Sequence, residues 1–180
     1  MKLLRTIRLD PSDTFVFEQA AEPGEWAVSG SFMFFDADVE RLEGKRRAAF
    51  RGGFLGIGSF GWSTLVQVVE AGADDHARLT DALARQFVDR LGAPDLDAAR
   101  KAAEEEIAFA ASLCEHPLDT LVAVHRRVEN GEIREAFRTL RPRGDVRPMR
   151  AFSFLDIEGE DEQRPSETLD LATLARDKRP

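Results

Sequence analysis

Apolar positions recur at two spacings along this chain, and the change from one to the other divides it into elements. "LLRTIRL" (3–9), "TFVFE" (14–18) and "WAVSGSFMFF" (26–35) are β-like runs. They are parted by the turn-forming stretches "DPSD" and "EPGE", so three short strands are predicted to open the chain as an antiparallel meander. The spacing then becomes helical over residues 38–57, where Leu42, Ala49, Phe50, Phe54 and Ile57 align. "STLVQVVEA" (63–71) reads as a central strand, apolar at nearly every position from Leu65 to Val69.

Two helices follow. In the first, Leu79, Ala82, Leu83, Phe87 and Leu91 form one stripe, with Asp74 or Asp75 available as a cap and Gly92 and Pro94 as the stop. In the second, Leu96, Ala99, Ala103, Ile107, Ala110 and Leu113 align ahead of Pro117. The linking "GAPD" is short, so the pair should pack antiparallel. Glu104, Glu105 and Glu106 then fall on an outer helical face.

The next segment, "TLVAVHRRVENGEIREAFRTLRP", carries Asn130-Gly131, a strong signal for a two-residue hairpin. Placing the turn there sets Glu129 against Glu132, Arg127 against Arg134, Arg126 against Glu135, and so on to Leu121 against Leu140. Strand alternation sorts these pairs onto two faces. Val122, Val124, Val128, Ile133 and Phe137 share a core face with the pair Arg126–Glu135. The other face gathers His125, Arg127, Arg134 and Arg138. Ile133, Phe137 and Leu140 also fit a helical stripe; the Asn-Gly pair favours the hairpin. "RAFSFLDIE" (150–158) reads as a last strand. The closing "SETLDLATLARDKRP" places Leu171, Leu174 and Ala175 at helical spacing, in a segment too short to hold a helix alone.

The expected fold is α+β: a mostly antiparallel sheet of about six or seven strands, with an antiparallel helix pair and a third helix packed on one face. Residues 1–158 form one domain, followed by an acidic, partly flexible tail over 159–180.

Charge changes the picture in one place. The chain of 180 residues has a formal net charge of −8, which disfavours nonspecific nucleic-acid binding. Residues 120–155 nevertheless hold eight basic and four acidic groups. Like charges directly across a ladder destabilise it, so Arg127 opposite Arg134 invites a compensating anion. Arg141 and Arg143, with Arg147 and Arg150, extend the basic surface into the following loop. His125, Arg127, Arg134, Arg138, Arg141 and Arg143 are therefore the candidate binding residues, for an anionic small molecule or an acidic protein surface. Arginine's planar fork suits either. A solvated face partly neutralised by the acidic tail is the plainer reading. An enzyme whose pocket lies between sheet and helices, lined by His125 and the arginines, is the alternative, and an oligomer joined through the tail is a third.

Other chemistry is sparse. Gly56-Ile57-Gly58-Ser59-Phe60-Gly61 matches G-x-G-x-x-G, but the spacing predicts a helix leading in and a strand leaving, the reverse of a dinucleotide-binding unit. Close backbone packing is the expected role. Cys114, the single cysteine, excludes an internal disulfide, and the three histidines show no metal-ligand spacing, so no cofactor or metal and no catalytic residue is expected. Arg5, Arg8 and Asp10 interrupt what a secretory signal would need, and no apolar run reaches the roughly 18–20 residues of a membrane span. A cytoplasmic protein is expected.

The segments "LLRTIRLD", "GWSTLVQVVEA", "HPLDTL", "FRTLRP" and "RAFSFL" resemble a small uncharacterised bacterial protein family of unknown function, over roughly residues 2–157. The resemblance implies a bacterial, cytosolic protein and assigns no residue a role.

Overall fold

The sheet is the frame on which everything else hangs. In a computed structural model that describes residues 1–142 and 155–158, eight strands run in the order β4-β3-β2-β1-β5-β6-β7-β8, each neighbouring pair antiparallel. They are β1 (Lys2–Ile7), β2 (Trp26–Val28), β3 (Phe54–Gly56), β4 (Trp62–Ser63), β5 (Leu65–Glu70), β6 (Leu121–Glu129), β7 (Glu132–Pro142) and β8 (Leu155–Glu158). Four helices accompany them: α1 (Ser12–Val16), α2 (Gly44–Gly52), α3 (Ala73–Leu91) and α4 (Leu96–Ser112). The α+β reading holds; β3 is a strand that the helical spacing of residues 38–57 concealed, and β4 is a two-residue strand just beyond that segment. Among the described residues no helix is long and apolar enough to cross a membrane.

The helix pair forms as its stripe dictates. Leu79, Leu83 and Phe87 of α3 are buried with Ala99, Ala103, Ile107 and Ala110 of α4, whereas Ala82, Leu91 and Leu96 of the predicted stripes are exposed at their margins. Alanines on the buried side let α4 approach both α3 and the strands β1 and β2 closely. The Asp75 carboxylate accepts the Gly72 N–H at the start of α3, and Gly92 ends it at φ 69°. Asp95 caps α4 by accepting from the Ala98 N–H at 2.8 Å.

Three of the predicted elements change. Thr14, Phe15 and Val16 of "TFVFE" fall in the short helix α1 rather than a strand, and Phe17 and Glu18 follow it outside any strand. The Asp13 carboxylate, 5% exposed, accepts from the Ser63 hydroxyl and from the N–H and hydroxyl of Thr64, which pins a helical turn there. The strand of residues 26–35 stops at Val28. Gly30 adopts φ 80°, and a Cβ there would stand 2.6 Å from the Cβ of Leu55, so the chain turns into a 3-10 segment, Ser31–Phe34. The helix of 38–57 is cut at Gly52; Phe54 and Leu55, both 0% exposed, enter the sheet instead. A Cβ at Gly53 would meet the Trp62 ring at 2.7 Å, so the indole sets the break. The last strand is described from Leu155 on; residues 150–154 and the tail segment 166–180 lie outside the described residues.

Candidate functional site

The hairpin β6–β7 forms with the register that the Asn-Gly turn predicts. All nine pairs, from Leu121 with Leu140 to Glu129 with Glu132, are those set by a turn at 130–131. Asn130 and Gly131 take φ 54° and 78°, the positive pair a type I′ turn requires. The helical alternative for the second arm is excluded by this pairing.

The outward face carries His125, Arg127, Arg134 and Arg138, all exposed. Arg127 lies directly across from Arg134, with their side chains 61% and 57% exposed. Part of their charge is answered at the hairpin tip. Arg134 meets Glu132 at 2.9 Å and Glu129 at 3.9 Å, while Arg127 meets Glu129 at 3.7 Å. Such exposed pairs hold little energy and exchange readily. His125 is exposed on this face, and it lines none of the clefts described among the described residues. Arg141 pairs in register with Asp156 of β8, and Arg143 lies outside the described residues.

On the inward face Arg126 is buried, 1% exposed, and its partner Glu135 is partly buried. Its guanidinium donates to Glu135 Oε1 at 2.7 Å, to the carbonyls of Phe50 at 3.1 Å and Gly53 at 2.7 Å, and to the carbonyl and hydroxyl of Ser29. The Ser29 hydroxyl donates to Glu135 in turn. One arginine thus ties β6 to β7, to the end of α2 and to the segment after β2. Burial lowers its pKa, and Glu135 and Glu106 oppose that.

Glu106 is the residue that sequence reasoning misplaced. It was expected on the outer face of α4 with Glu104 and Glu105, yet it is half-buried and close enough to Glu135 and Arg126 to feel both charges. Its place beside Ala103 and Ile107, at the margin of the buried stripe, was the available signal. Desolvation, reinforced by the negative charge of Glu135 and partly offset by Arg126, pushes its carboxyl up to about 7 from an ordinary 4.5. Between those values the folded protein keeps a proton that the unfolded chain releases. Stability therefore falls as pH rises through that window, then levels off. Glu106→Gln should leave stability unchanged near pH 4 and raise it by on the order of 1–3 kcal/mol at pH 8. Urea denaturation at the two pH values checks this; an equal difference at both would refute it.

The glycine segment turns out to hold an anion of its own. It links β3 to β4, so a strand rather than a helix leads into it. The Glu25 carboxylate lies against it, accepting from the Ser59 N–H at 2.7 Å, from the Ser59 hydroxyl, and from the Glu22 N–H at 2.6 Å. A Cβ at Gly56 would stand 2.6 Å from the Glu25 carboxyl carbon, and one at Gly58 2.9 Å from its Oε2. A side chain of the same polypeptide thus fills the space against Gly56 and Gly58.

Cys114 is buried, as its small apolar reading requires, and desolvation pushes its thiol up to about 11, far from a nucleophile's range. His76 is partly buried near the start of α3, and the carbonyl of His116 accepts from Lys2 Nζ at 2.7 Å. Among the described residues no three His, Cys, Asp or Glu side chains gather as metal ligands would.

Comparison with known proteins gives one match. The model of the family described as "Family of unknown function (DUF6505)" matches residues 1–154, and the chain belongs to that family. No curated protein and no solved structure matches it.

Proposed function

We propose that this member of a family of unknown function is a non-catalytic binding protein that engages an acidic protein surface through the outward face of the β6–β7 hairpin. The observation behind the reading is the cross-strand pair Arg127–Arg134, exposed beside His125 and Arg138 on one side of a rigid ladder. On an open face a single small anion stays hydrated and screened, whereas several carboxylates on one partner act together. The glutamates at the tip are exchangeable counter-charges: carboxylates of a partner replace Glu129 and Glu132 at little cost. Arg141 and Arg143 add two further basic residues next along the sequence. The reading takes the protein as bacterial and cytosolic, in keeping with its family resemblance and the free thiol of Cys114.

The test uses a fluorescent poly-glutamate peptide at low salt, read by anisotropy, with inorganic phosphate as competitor. Arg127→Ala with Arg134→Ala should weaken peptide binding about tenfold, since each lost charge contact contributes up to ~1 kcal/mol, and leave folding stability unchanged or slightly raised. Equal affinity in parent and double variant sinks the reading. Full displacement by millimolar phosphate would replace the protein partner with a small anion.

A further inference from the structure

A second surface, independent of the arginine face, has the opposite chemistry. A cleft of about 510 Å³ opens between the 3-10 segment with its continuation to Asp36 on one side and the facing ends of α3 and α4 on the other. That volume is in the range of small-molecule sites. Its walls are apolar: Phe32 packs edge-on against Phe87 with ring centroids 4.9 Å apart, and Met33, Leu91 and Ala102 complete the lining. Phe35, 68% exposed, and Leu91, 46% exposed, stand at it as large apolar groups that nothing among the described residues covers.

The polar part of the cleft is of one sign. Asp36, Glu105 and Glu106 line it, and no lysine, arginine or histidine does so among the described residues. Glu106 has no hydrogen-bond or ion-pair partner among the described residues. Arg126, the cation that acts on it among the described residues, is already committed to Glu135, Ser29 and two further backbone carbonyls. A half-buried carboxyl without a partner, opening onto an apolar cleft, lacks a donor that a ligand can bring.

We propose that this cleft binds a small amphipathic amine, its aromatic or short aliphatic body lying between Phe32, Phe35 and Leu91 and its ammonium donating to Glu106. Asp36 and Glu105 hold the field negative at long range, and they discriminate against an anion of the same shape. The raised pKa of Glu106 adds a consequence. The groups acting on it are Glu135, Arg126 and Glu105. An ammonium favours the ionised carboxylate, so amine binding expels a proton near neutral pH and weakens on acidification.

Three probes of one shape test this: phenethylamine, 2-phenylethanol and 3-phenylpropanoate, titrated calorimetrically into the full chain at pH 8 and pH 6, with backbone amide shifts locating the site. The amine should bind at least tenfold more tightly than the alcohol at pH 8, the propanoate weakest, with shifts centred on residues 32–36 and 98–106. Its advantage should shrink at pH 6. Glu106→Gln should keep alcohol binding and remove both the amine preference and its pH dependence. Ala102→Trp, which fills the cleft from an exposed position, should abolish binding of both. Absence of binding by all three probes overturns the proposal, as does an amine that binds no better than the alcohol or as well to Glu106→Gln as to the parent.

Discussion

Arg126→Met should destabilise the protein by about 3–5 kcal/mol, the range for removing one partner of a buried charge pair. For a chain of this size that lowers the melting temperature by about 10 °C or more. The substitution keeps the apolar stem and removes the head. Glu135 is then left with a buried charge answered only by the Ser29 hydroxyl, and the carbonyls of Phe50, Gly53 and Ser29 lose a donor where water has little access. Arg126→Lys should recover little, because one ammonium cannot reach acceptors arranged around a planar fork. Adding Glu135→Leu to Arg126→Met should restore only the part due to the stranded carboxylate, since the three carbonyls stay unpaired. Urea melts of the three variants measure this. A loss below about 1 kcal/mol for Arg126→Met would mean that water satisfies the network and that the buried arginine is not the tie between the elements.

Glu25 and Gly56 should behave as one unit. Glu25→Ala leaves the Ser59 and Glu22 N–H groups without their acceptor, at a cost of about 2 kcal/mol. Gly56→Ala should cost about the same, by driving a methyl into the place of the carboxylate and expelling it from the loop. With Glu25 already truncated, that methyl enters vacated space. The double variant should therefore lose about 2–3 kcal/mol rather than the sum, a coupling of about 1–2 kcal/mol. Additive losses would show that Gly56 is needed for some reason other than room for Glu25. The same cycle bears on the loop's role: a loop kept open for a ligand phosphate would not be stabilised by filling it with its own glutamate.

The parts of the fold that could be read in advance are those governed by neighbours in sequence. The hairpin is the clearest case. Asn130 and Gly131 accept positive φ at low cost, and a two-residue turn then dictates every pair from Glu129–Glu132 to Leu121–Leu140. The helices α3 and α4 follow likewise from their apolar stripes and, for α3, a Gly92 stop. Where the reading failed, a distant residue had overruled local pattern. "TFVFE" has strand-like composition, but Asp13 is held by Ser63 and Thr64, some fifty positions along the chain. The helical spacing through Phe54 and Ile57 was real in number but cut by the approach of Trp62 to Gly53.

The sites divide in the same way. The arginine face needed only alternation and a turn, so its four exposed members were identifiable from spacing alone. Glu106 was marked only by its place beside Ala103 and Ile107 at the margin of the stripe, which does not by itself fix burial; only the assembled fold brings Glu135 and Arg126 near it and removes its water. Glu25 was invisible for a related reason, since its loop lies more than thirty positions away. What the amino-acid sequence determined by itself, then, was the helix pair α3–α4, the hairpin register and the sorting of charge between the hairpin's faces, because turn geometry and side-chain period act over a few residues. Which carboxylates lose solvent, and what stands opposite them, was decided by tertiary contact, because desolvation and close approach depend on chain segments that meet only once the sheet has assembled.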